Sequence, residues 1–592
     1  MKNAKQREAY LCNENCVVQA GPGSGKTATL TLKIMRLLTE KVREPMGLAC
    51  VTFNNEAVLE FKDRLKLIGL PKRQNIFLGT VHSFCLSCVI GPFAKLYRPD
   101  LPVPLRVASQ DIQLRCLERA MDRVGIRRPP WEFRLPFDRY RRTNLDRTAD
   151  SWDLDQEYAK TIEVYESYLR KEGYVDFDDL ILIALSMIEK EPYVRRCLCA
   201  RYPWFVIDEY QDLGYPLHRI VLSLLETKAI RVFAVGDPDQ SIYGFTGANP
   251  KYLEELTERE DMVSVRLGLN YRSGQNIIDG AEVILAPEIS RNYVSSRGKD
   301  DPGEIYFYER SRGLEDQCTF IAEQIIPQLF GAGYDAREVA ILYIDRHDAR
   351  VIIRSLEAAG IPYAGERDQR YRRSPLTRWI EDMAQWCCGV RGKSGIRFSD
   401  VSAFWIRLLK NAGIVLAEGN ELSVRADYFR VLTELQDPDM PVREWFSNLD
   451  DRLSLKDHIA KCEKAPDEVD AYSSMVAAFS DDGFLSDYNL SDLGGCGAYS
   501  NRVCLTTLHS SKGCQFDVVI IPGLEEGRLP SWGAKSNAAL REARRTFYVG
   551  FTRARHLVYL LYSGWYQFRQ NVFRNGPSRF VIELQKALKR EE

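Results

Sequence analysis

Ala20-Gly21-Pro22-Gly23-Ser24-Gly25-Lys26-Thr27 follows directly on the apolar run 16–20 (CVVQA) and opens a helical pattern reaching about residue 38. A buried strand that runs into a glycine-rich turn and then a helix is one step of a parallel α/β sheet. The glycines let backbone N–H groups curl around phosphate oxygens at the helix start. The Lys26 ammonium adds a point charge there, and the Thr27 hydroxyl suits Mg²⁺. The first position is Ala20, where the strict phosphate-loop pattern has glycine. Residues 48–53 (LACVTF) read as the next strand and 55–67 as the next helix. Further short apolar strands fall at 204–207, 232–235, 339–343, 503–507, 518–521 and 557–561. They cluster in two groups separated by helical sequence, which predicts two α/β domains.

A phosphate loop needs a carboxylate for the metal and a group that activates water. Trp204-Phe205-Val206-Ile207-Asp208-Glu209-Tyr210-Gln211-Asp212 places two carboxylates at the end of an apolar strand, and strand ends face the ligand crevice in open α/β sheets. Asp208 suits the Mg²⁺ shell, and Glu209 suits the orientation and deprotonation of attacking water. A third strand carries Val235-Gly236-Asp237-Pro238-Asp239-Gln240-Ser241-Ile242-Tyr243-Gly244-Phe245. With the two preceding segments, it resembles the superfamily 1A DNA helicases of the UvrD/Rep/PcrA type. The other motifs of that family follow in order: Gln6 near the N-terminus, Val51-Thr52-Phe53-Asn54-Asn55 and Gly79-Thr80-Val81-His82-Ser83-Phe84. Then come Leu269-Asn270-Tyr271-Arg272-Ser273, Thr507-Leu508-His509-Ser510-Ser511-Lys512-Gly513 and Tyr548-Val549-Gly550-Phe551-Thr552-Arg553-Ala554.

The resemblance implies two RecA-like P-loop NTPase domains, each with a mostly helical insertion, and ATP held between them. It implies residues 1–88 with 178–262 as the first RecA-like domain and 89–177 as its insertion. Residues 263–380 with 500–592 form the second, and 381–499 a shortened second insertion. Ala20, Gly21, Pro22, Gly23, Ser24, Gly25, Lys26 and Thr27 then hold the phosphates, with Mg²⁺ on Thr27 and Asp208. Gln6 reads the adenine edge and Tyr271 stacks on the ring. Arg272 and Arg553 resemble two arginine fingers, and Gln240 reports the γ-phosphate to the DNA. The matching DNA positions are the aromatics Phe53, His82, Tyr243, Phe245 and His509, with Thr52, Thr80 and Thr507 for phosphates. Stacking on an aromatic face contributes about 1–3 kcal/mol per base. Two positions depart from the family: Ala28 stands where arginine often follows the loop, and Gln515 replaces a glutamate in Lys512-Gly513-Cys514-Gln515-Phe516. Both touch base or ribose recognition, so hydrolysis is expected to persist with weaker nucleotide binding or looser base selection.

Composition sets the limits on partners. The 592 residues hold 81 Lys+Arg against 82 Asp+Glu, a net charge of −1 that excludes only a uniformly basic surface. Residues 127–147 carry seven Arg interleaved with Trp131, Phe133, Phe137 and Tyr140, and 366–378 carry five Arg around Tyr371. Each is as consistent with a phosphate-contacting face as with a solvated one. Residues 465–493 carry seven acidic residues and no Lys or Arg, which reads as a solvated face or a docking surface. The 15 cysteines are scattered, and Cys85/Cys88, Cys197/Cys199 and Cys387/Cys388 read as buried thiols, as in a reducing cytosol. Asp176, Asp178 and Asp179 read as a surface helix start. With no leader-like or membrane-spanning run, the protein is expected to be cytoplasmic, with no membrane partner.

The functional expectation is an ATP-dependent 3′→5′ translocase or helicase on single-stranded DNA or tailed duplex. The alternative of another class is a DNA-sensing ATPase subunit in a complex, for example with a separate nuclease in recombination or phage defence.

Overall fold

The computed structural model describes residues 3–52, 55–69, 75–103, 105–145, 147, 150–244, 247–286, 290–365, 371, 374–389, 396–415, 420–461, 466–481, 483, 485–486, 488–494, 501–568 and 571–589. They divide into two compact units. The first comprises Met1–Glu304, Pro530–Thr552 and Glu583–Glu592, and the second Ile305–Leu529 and Arg553–Ile582.

The first unit is built on six strands: β1 (Cys16–Ala20), β2 (Leu48–Thr52), β3 (Ile76–Thr80), β4 (Trp204–Ile207), β5 (Arg231–Gly236) and β6 (Val263–Leu267). Their order is β3-β2-β4-β5-β1-β6, and every pairing is parallel. A parallel sheet is covered on both faces, so its strands are apolar throughout rather than alternating. Val17, Val51, Phe205, Ile207 and Ala234 belong to one apolar cluster, and Val18, Cys50, Val206, Phe233 and Val235 to another. Successive residues of a strand point to opposite faces, so this division places a core on each side of the sheet. Helices Gln110–Val124, Pro130–Thr143 and Gln156–Lys171 enclose a separate core that includes Leu117, Phe133, Phe137, Ile162 and Tyr165.

The second unit repeats the plan with β7 (Glu304–Glu309), β8 (Val339–Tyr343), β9 (Tyr363–Ala364), β10 (Val503–Thr507), β11 (Phe516–Ile521) and β12 (Ala554–Tyr562), in the order β7-β12-β11-β8-β10-β9. From β12 to β9 the pairings are parallel. Helices between Pro375–Cys387 and Leu490–Leu493 form their own core around Trp379, Trp405, Tyr428 and Trp445. Each run read from the sequence as a strand is a strand here over its described residues. The largest difference is at 557–561, which is the centre of the longer β12.

Six helices position the features discussed below: α1 (Ala4–Leu11), α2 (Lys26–Arg36), α3 (Phe177–Lys190), α4 (Gln275–Leu285), α5 (Arg346–Ala358) and α6 (Asn537–Phe551). No helix among the described residues is long and apolar enough to cross a membrane.

Candidate nucleotide site and nucleic-acid corners

β1 delivers the chain into the glycine-rich loop, and α2 leaves it with no side chain capping its first amides. Gly23 and Gly25 adopt φ of +68° and +80°, in the left-handed region that glycine enters without a Cβ penalty. Space forbids a side chain as well. A Cβ on Gly23 would lie 2.4 Å from Asn270 Oδ1, and one on Gly25 would lie 2.6 Å from Gln6 Nε2. A Cβ on Gly21 would strike the Tyr293 ring at 2.5 Å.

The same neighbours are bonded to the loop. Gln6 Nε2 donates to the Ser24 carbonyl at 2.9 Å, and the Tyr271 amide donates to the Gly23 carbonyl at 2.8 Å. Asn270 Oδ1 accepts from the amides of Arg272 at 2.7 Å and Ser273 at 3.0 Å, which fixes the turn that presents Tyr271 and Arg272. Asn3 caps α1 and donates to the Tyr271 hydroxyl at 3.1 Å. Gln6, Gly25 and the half-exposed Tyr271 ring therefore converge at one edge of the loop.

Facing the loop is the end of β4. Asp208 is buried, its amide bonded to the Val51 carbonyl at 3.0 Å. Glu209 takes φ 51° and ψ 46°, a left-handed conformation uncommon for a residue with a side chain. Such strain concentrates at functional sites, where the surroundings enforce it. The Glu209 carboxylate is held by Gln211, whose side-chain Nε2 donates to it and whose Oε1 accepts from the Asp237 amide at 2.9 Å. Gln240 Nε2 donates to Asp237 Oδ2 at 2.6 Å, so Glu209, Gln211, Asp237 and Gln240 form one hydrogen-bonded chain. Burial pushes the Asp237 carboxyl up to about 6, with the Lys26 ammonium opposing and Asp239 reinforcing. Lys26 itself is 12 % exposed, and its ammonium has no hydrogen-bond acceptor among the described residues. Its ion-pair partner is Glu209 Oε1 at 3.8 Å, beyond hydrogen-bond range.

The two arginines are placed unit by unit. In the first unit, Arg272 Nη1 donates to the Thr552 carbonyl at 3.1 Å, and Arg297 holds the Arg272 carbonyl at 2.7 Å. In the second, Arg553 is buried, with Nη1 on the Cys514 carbonyl at 3.3 Å. Ala28 and Gln515 are both exposed.

Family comparison bears on the whole chain. Residues 2–261 match the UvrD/REP helicase N-terminal domain, and residues 265–375 with 453–564 match the UvrD-like helicase C-terminal domain. The chain belongs to the UvrD/Rep helicase family. It is 27% identical over 671 residues to the ATP-dependent DNA helicase UvrD1 of Mycobacterium tuberculosis, covering 99% of this chain and 85% of that one. It is 26% identical over 646 residues to the ATP-dependent DNA helicase PcrA of Staphylococcus epidermidis, covering 98% and 86%. Against PcrA of Leuconostoc citreum the identity is 25% over 654 residues.

In this UvrD-family helicase the residues matched to DNA positions lie at strand ends. Thr52 closes β2 with a buried hydroxyl that has no hydrogen-bond partner among the described residues. Thr80 closes β3 and caps the helical run beginning at Val81, its Oγ1 accepting from the Ser83 amide at 3.3 Å. Thr507 closes β10, and its Oγ1 accepts from the Ser510 amide at 3.0 Å. Both corners read Thr-x-His-Ser. Burial holds His82 and His509 below the ordinary value of 6.5; at His82, Asp178 opposes this and Arg142 adds to it. The His82 ring meets the exposed Phe177 edge-on at 5.5 Å. Tyr243 is half-buried, and Phe53 and Phe245 lie outside the described residues.

Several sequence readings change. Five of the seven arginines in 127–147 are held by carboxylates: Arg128 by Glu157, Arg134 by Asp138, Arg141 by Asp176 and Asp179, Arg142 by Asp178, and Arg147 by Glu166. Arg141 is fully enclosed, so this stretch is chiefly an internal ion-pair network rather than a phosphate face. Asp176 and Asp179 do start helix α3 through a capping box, but they are buried on Arg141 instead of lying at the surface. Residues 366–370 and 372–373 of the second Arg-rich stretch lie outside the described residues. In the acidic stretch, Glu468 accepts from the Ser374 hydroxyl at 2.6 Å and the Leu376 amide at 3.0 Å, so it holds a helix start.

Sequence reasoning passed over Tyr293, which seals the loop at Gly21, and Arg291, which grips Asp239 at 2.7 and 2.9 Å beside Gln240. Neither lies in a quoted motif. Asn270 and Asp237 could have been found, since both stand inside quoted motifs as polar residues on turns.

Proposed function

We propose that this helicase hydrolyses ATP to move 3′→5′ along single-stranded DNA and to displace a complementary strand. The observation that carries the proposal is the Lys26 ammonium: enclosed, without a hydrogen-bond acceptor among the described residues, at an uncapped helix start behind glycines that admit no Cβ. A phosphate group supplies the anion and the acceptors that such a site lacks. Thr27 and Asp208 are hard oxygen donors and would hold Mg²⁺, which offsets phosphate charge. Glu209, aimed by its left-handed backbone and by Gln211, takes the proton of the attacking water. Arg272 and Arg553 oppose the charge that develops on the transferred phosphoryl group. Gln240, tied to Glu209 through Asp237 and Gln211, links that event to the strand ends at Thr52, Thr80, His82 and Tyr243. Thr507 and His509 serve the DNA from the second unit, and Phe53 and Phe245 complete the proposed track. Residues 1–88 with 178–262, 89–177, 263–380 with 500–592, and 381–499 are the proposed functional division of the chain.

The test is ATP turnover with and without single-stranded DNA, for the native chain and Lys26→Ala, with displacement of 3′-tailed and 5′-tailed duplexes. DNA-stimulated turnover that Lys26→Ala abolishes, with unwinding confined to the 3′ tail, is the expected result. Turnover indifferent to DNA would overturn the proposal. DNA-stimulated turnover without unwinding would replace it with the complex-subunit reading.

A further inference from the structure

The residue after Glu209 is anchored by a chain of polar groups that leads away from the phosphate loop. The Tyr210 ring is fully buried, and its hydroxyl lies 2.9 Å from His218 Nδ1. His218 stands one turn into the helix Tyr215–Leu225, and its Nε2 lies 2.9 Å from Glu255 Oε2 on the helix Lys251–Thr257. The His218 side chain is 1 % exposed and that of Glu255 56 %, so the chain starts in the core and ends in solvent. The imidazole also stacks on the Tyr252 ring, with centroids 4.7 Å apart and planes 15° from parallel. Tyr210 otherwise belongs to an apolar cluster with Leu213, Leu217, Val221, Leu253 and Leu256.

One proton arrangement satisfies every member. A carboxylate only accepts, so Nε2 carries the proton given to Glu255, and Nδ1 accepts from the Tyr210 hydroxyl. Burial supports this neutral imidazole by holding it below 6.5, with Glu255 opposing and Arg259 and Arg219 adding to it. Burial likewise keeps the Tyr210 hydroxyl protonated. A buried polar chain with all its partners present fixes one arrangement and loses it when a member goes.

What is fixed here adjoins the strained residue. Glu209, at φ 51°, would regain ordinary backbone geometry if the peptide after it rotated, and that rotation would carry the Tyr210 ring out of its enclosure. The backbone leaves little room for it. The Asp212 amide donates to the Glu209 carbonyl at 2.9 Å, and the Leu213 amide to the Tyr210 carbonyl at 3.1 Å. A Cβ on Gly236 would come within 3.3 Å of the Tyr210 amide nitrogen. We propose that Tyr210, clasped by His218 and Glu255, is a positioning residue for hydrolysis that holds Glu209 in its left-handed turn. The role rests on the reading of Glu209 as the group that takes the proton of water. Tyr210 acts through Glu209 alone, by setting the direction in which that carboxylate leaves the strand end. Loss of the clasp slows the chemical step and leaves nucleotide binding as it was.

Single-turnover ATP hydrolysis on single-stranded DNA, with ATP affinity measured separately, tests the clasp in the full chain. Tyr210→Phe keeps the ring and removes only the hydroxyl, and His218→Phe keeps a ring against Tyr252. Each should lower the rate roughly three- to tenfold with ATP affinity within about twofold. The double variant should lose no more than the worse single one. Glu255→Gln, which retains an acceptor oxygen, should stay within about twofold, whereas Glu255→Leu should fall towards His218→Phe. Glu255 is substituted from the exposed end, so this pair reads the clasp even where a buried change harms folding. In a Glu209→Gln background, Tyr210→Phe should cost nothing further, because nothing is left to position. The same further loss there as in the native chain would overturn the proposal and make Tyr210 a general support of the fold. A loss confined to ATP affinity would overturn it too. A large Glu209→Gln defect beside an unchanged Tyr210→Phe rate would overturn the clasp alone. Undiminished hydrolysis by Glu209→Gln would overturn the reading of Glu209 and the clasp with it.

Discussion

The two sheets end their central strands in opposite ways. In the first unit β1 runs into glycines, and α2 begins with bare amides and Lys26. In the second unit β8 runs into Ile344-Asp345-Arg346-His347-Asp348, and the start of α5 is filled by the protein's own carboxylates. Asp345 Oδ1 accepts from the amides of His347 at 2.8 Å and Asp348 at 3.2 Å, and Asp348 Oδ2 accepts from the Asp345 amide at 3.3 Å. Arg528 then binds both carboxylates. Any helix N-terminus favours an anion. The first unit leaves that preference open to a ligand, and the second satisfies it internally. One architecture thus yields one phosphate site rather than two. Both units nevertheless keep the Thr-x-His-Ser corner, so the contrast separates the proposed nucleotide site from the corners proposed to meet a nucleic acid in both halves.

Replacing Glu209 by Gln should give the largest effect, a fall in DNA-stimulated ATP turnover of roughly 10²–10³-fold with nucleotide binding retained. Asp345→Asn, at the β8 end set against that of β1, should leave turnover within about twofold and register only in stability. Equal losses from both would break the comparison. Next comes Arg528→Ala, which leaves two carboxylates at a largely buried site and should cost about 3–5 kcal/mol in urea unfolding. A change below about 1 kcal/mol would mean that Asp345 and Asp348 do not depend on it. The smallest effect belongs to the corners. Thr80 caps a helical run, whereas Thr507 leads into a turn that ends at Gly513 with φ +90°. Thr80→Val should therefore cost about 1 kcal/mol of stability, and Thr507→Val less. Both should weaken single-stranded DNA binding by a similar few-fold factor, read by fluorescence anisotropy. A binding loss from only one of them would assign the DNA contact to one unit.

What was legible in the sequence was what is local in the chain. The glycine-rich loop, the Asp208-Glu209 strand end and the Thr80 and Thr507 corners each occupy a few consecutive residues, and their chemistry follows from residue type and strand position. The partners brought in by folding were not legible. Arg141 reads as surface charge because nothing near it in sequence neutralises it, and its carboxylates stand 35 and 38 residues away. Glu468 reads as part of an acidic face because the helix start it holds, at Ser374, is 94 residues distant. Edge strands escaped for another reason. β3 and β7 are only half-covered and lack the continuous apolar run of a central strand.

The chain passes between the units four times, and the first unit reclaims Pro530–Thr552 late. There α6 packs against α4, and Arg544 donates to the Ile284 carbonyl across 260 residues of sequence. At about 5–20 residues per second, a ribosome needs roughly 10–50 s to make that stretch. Throughout that interval the nascent first unit carries α4 without its cover, including the face bearing Ile277, Ile278 and Ala281. The protein therefore cannot mature domain by domain from its N-terminus. A newborn chain waits, partly finished and prone to capture by chaperones, for Pro530–Thr552 to emerge.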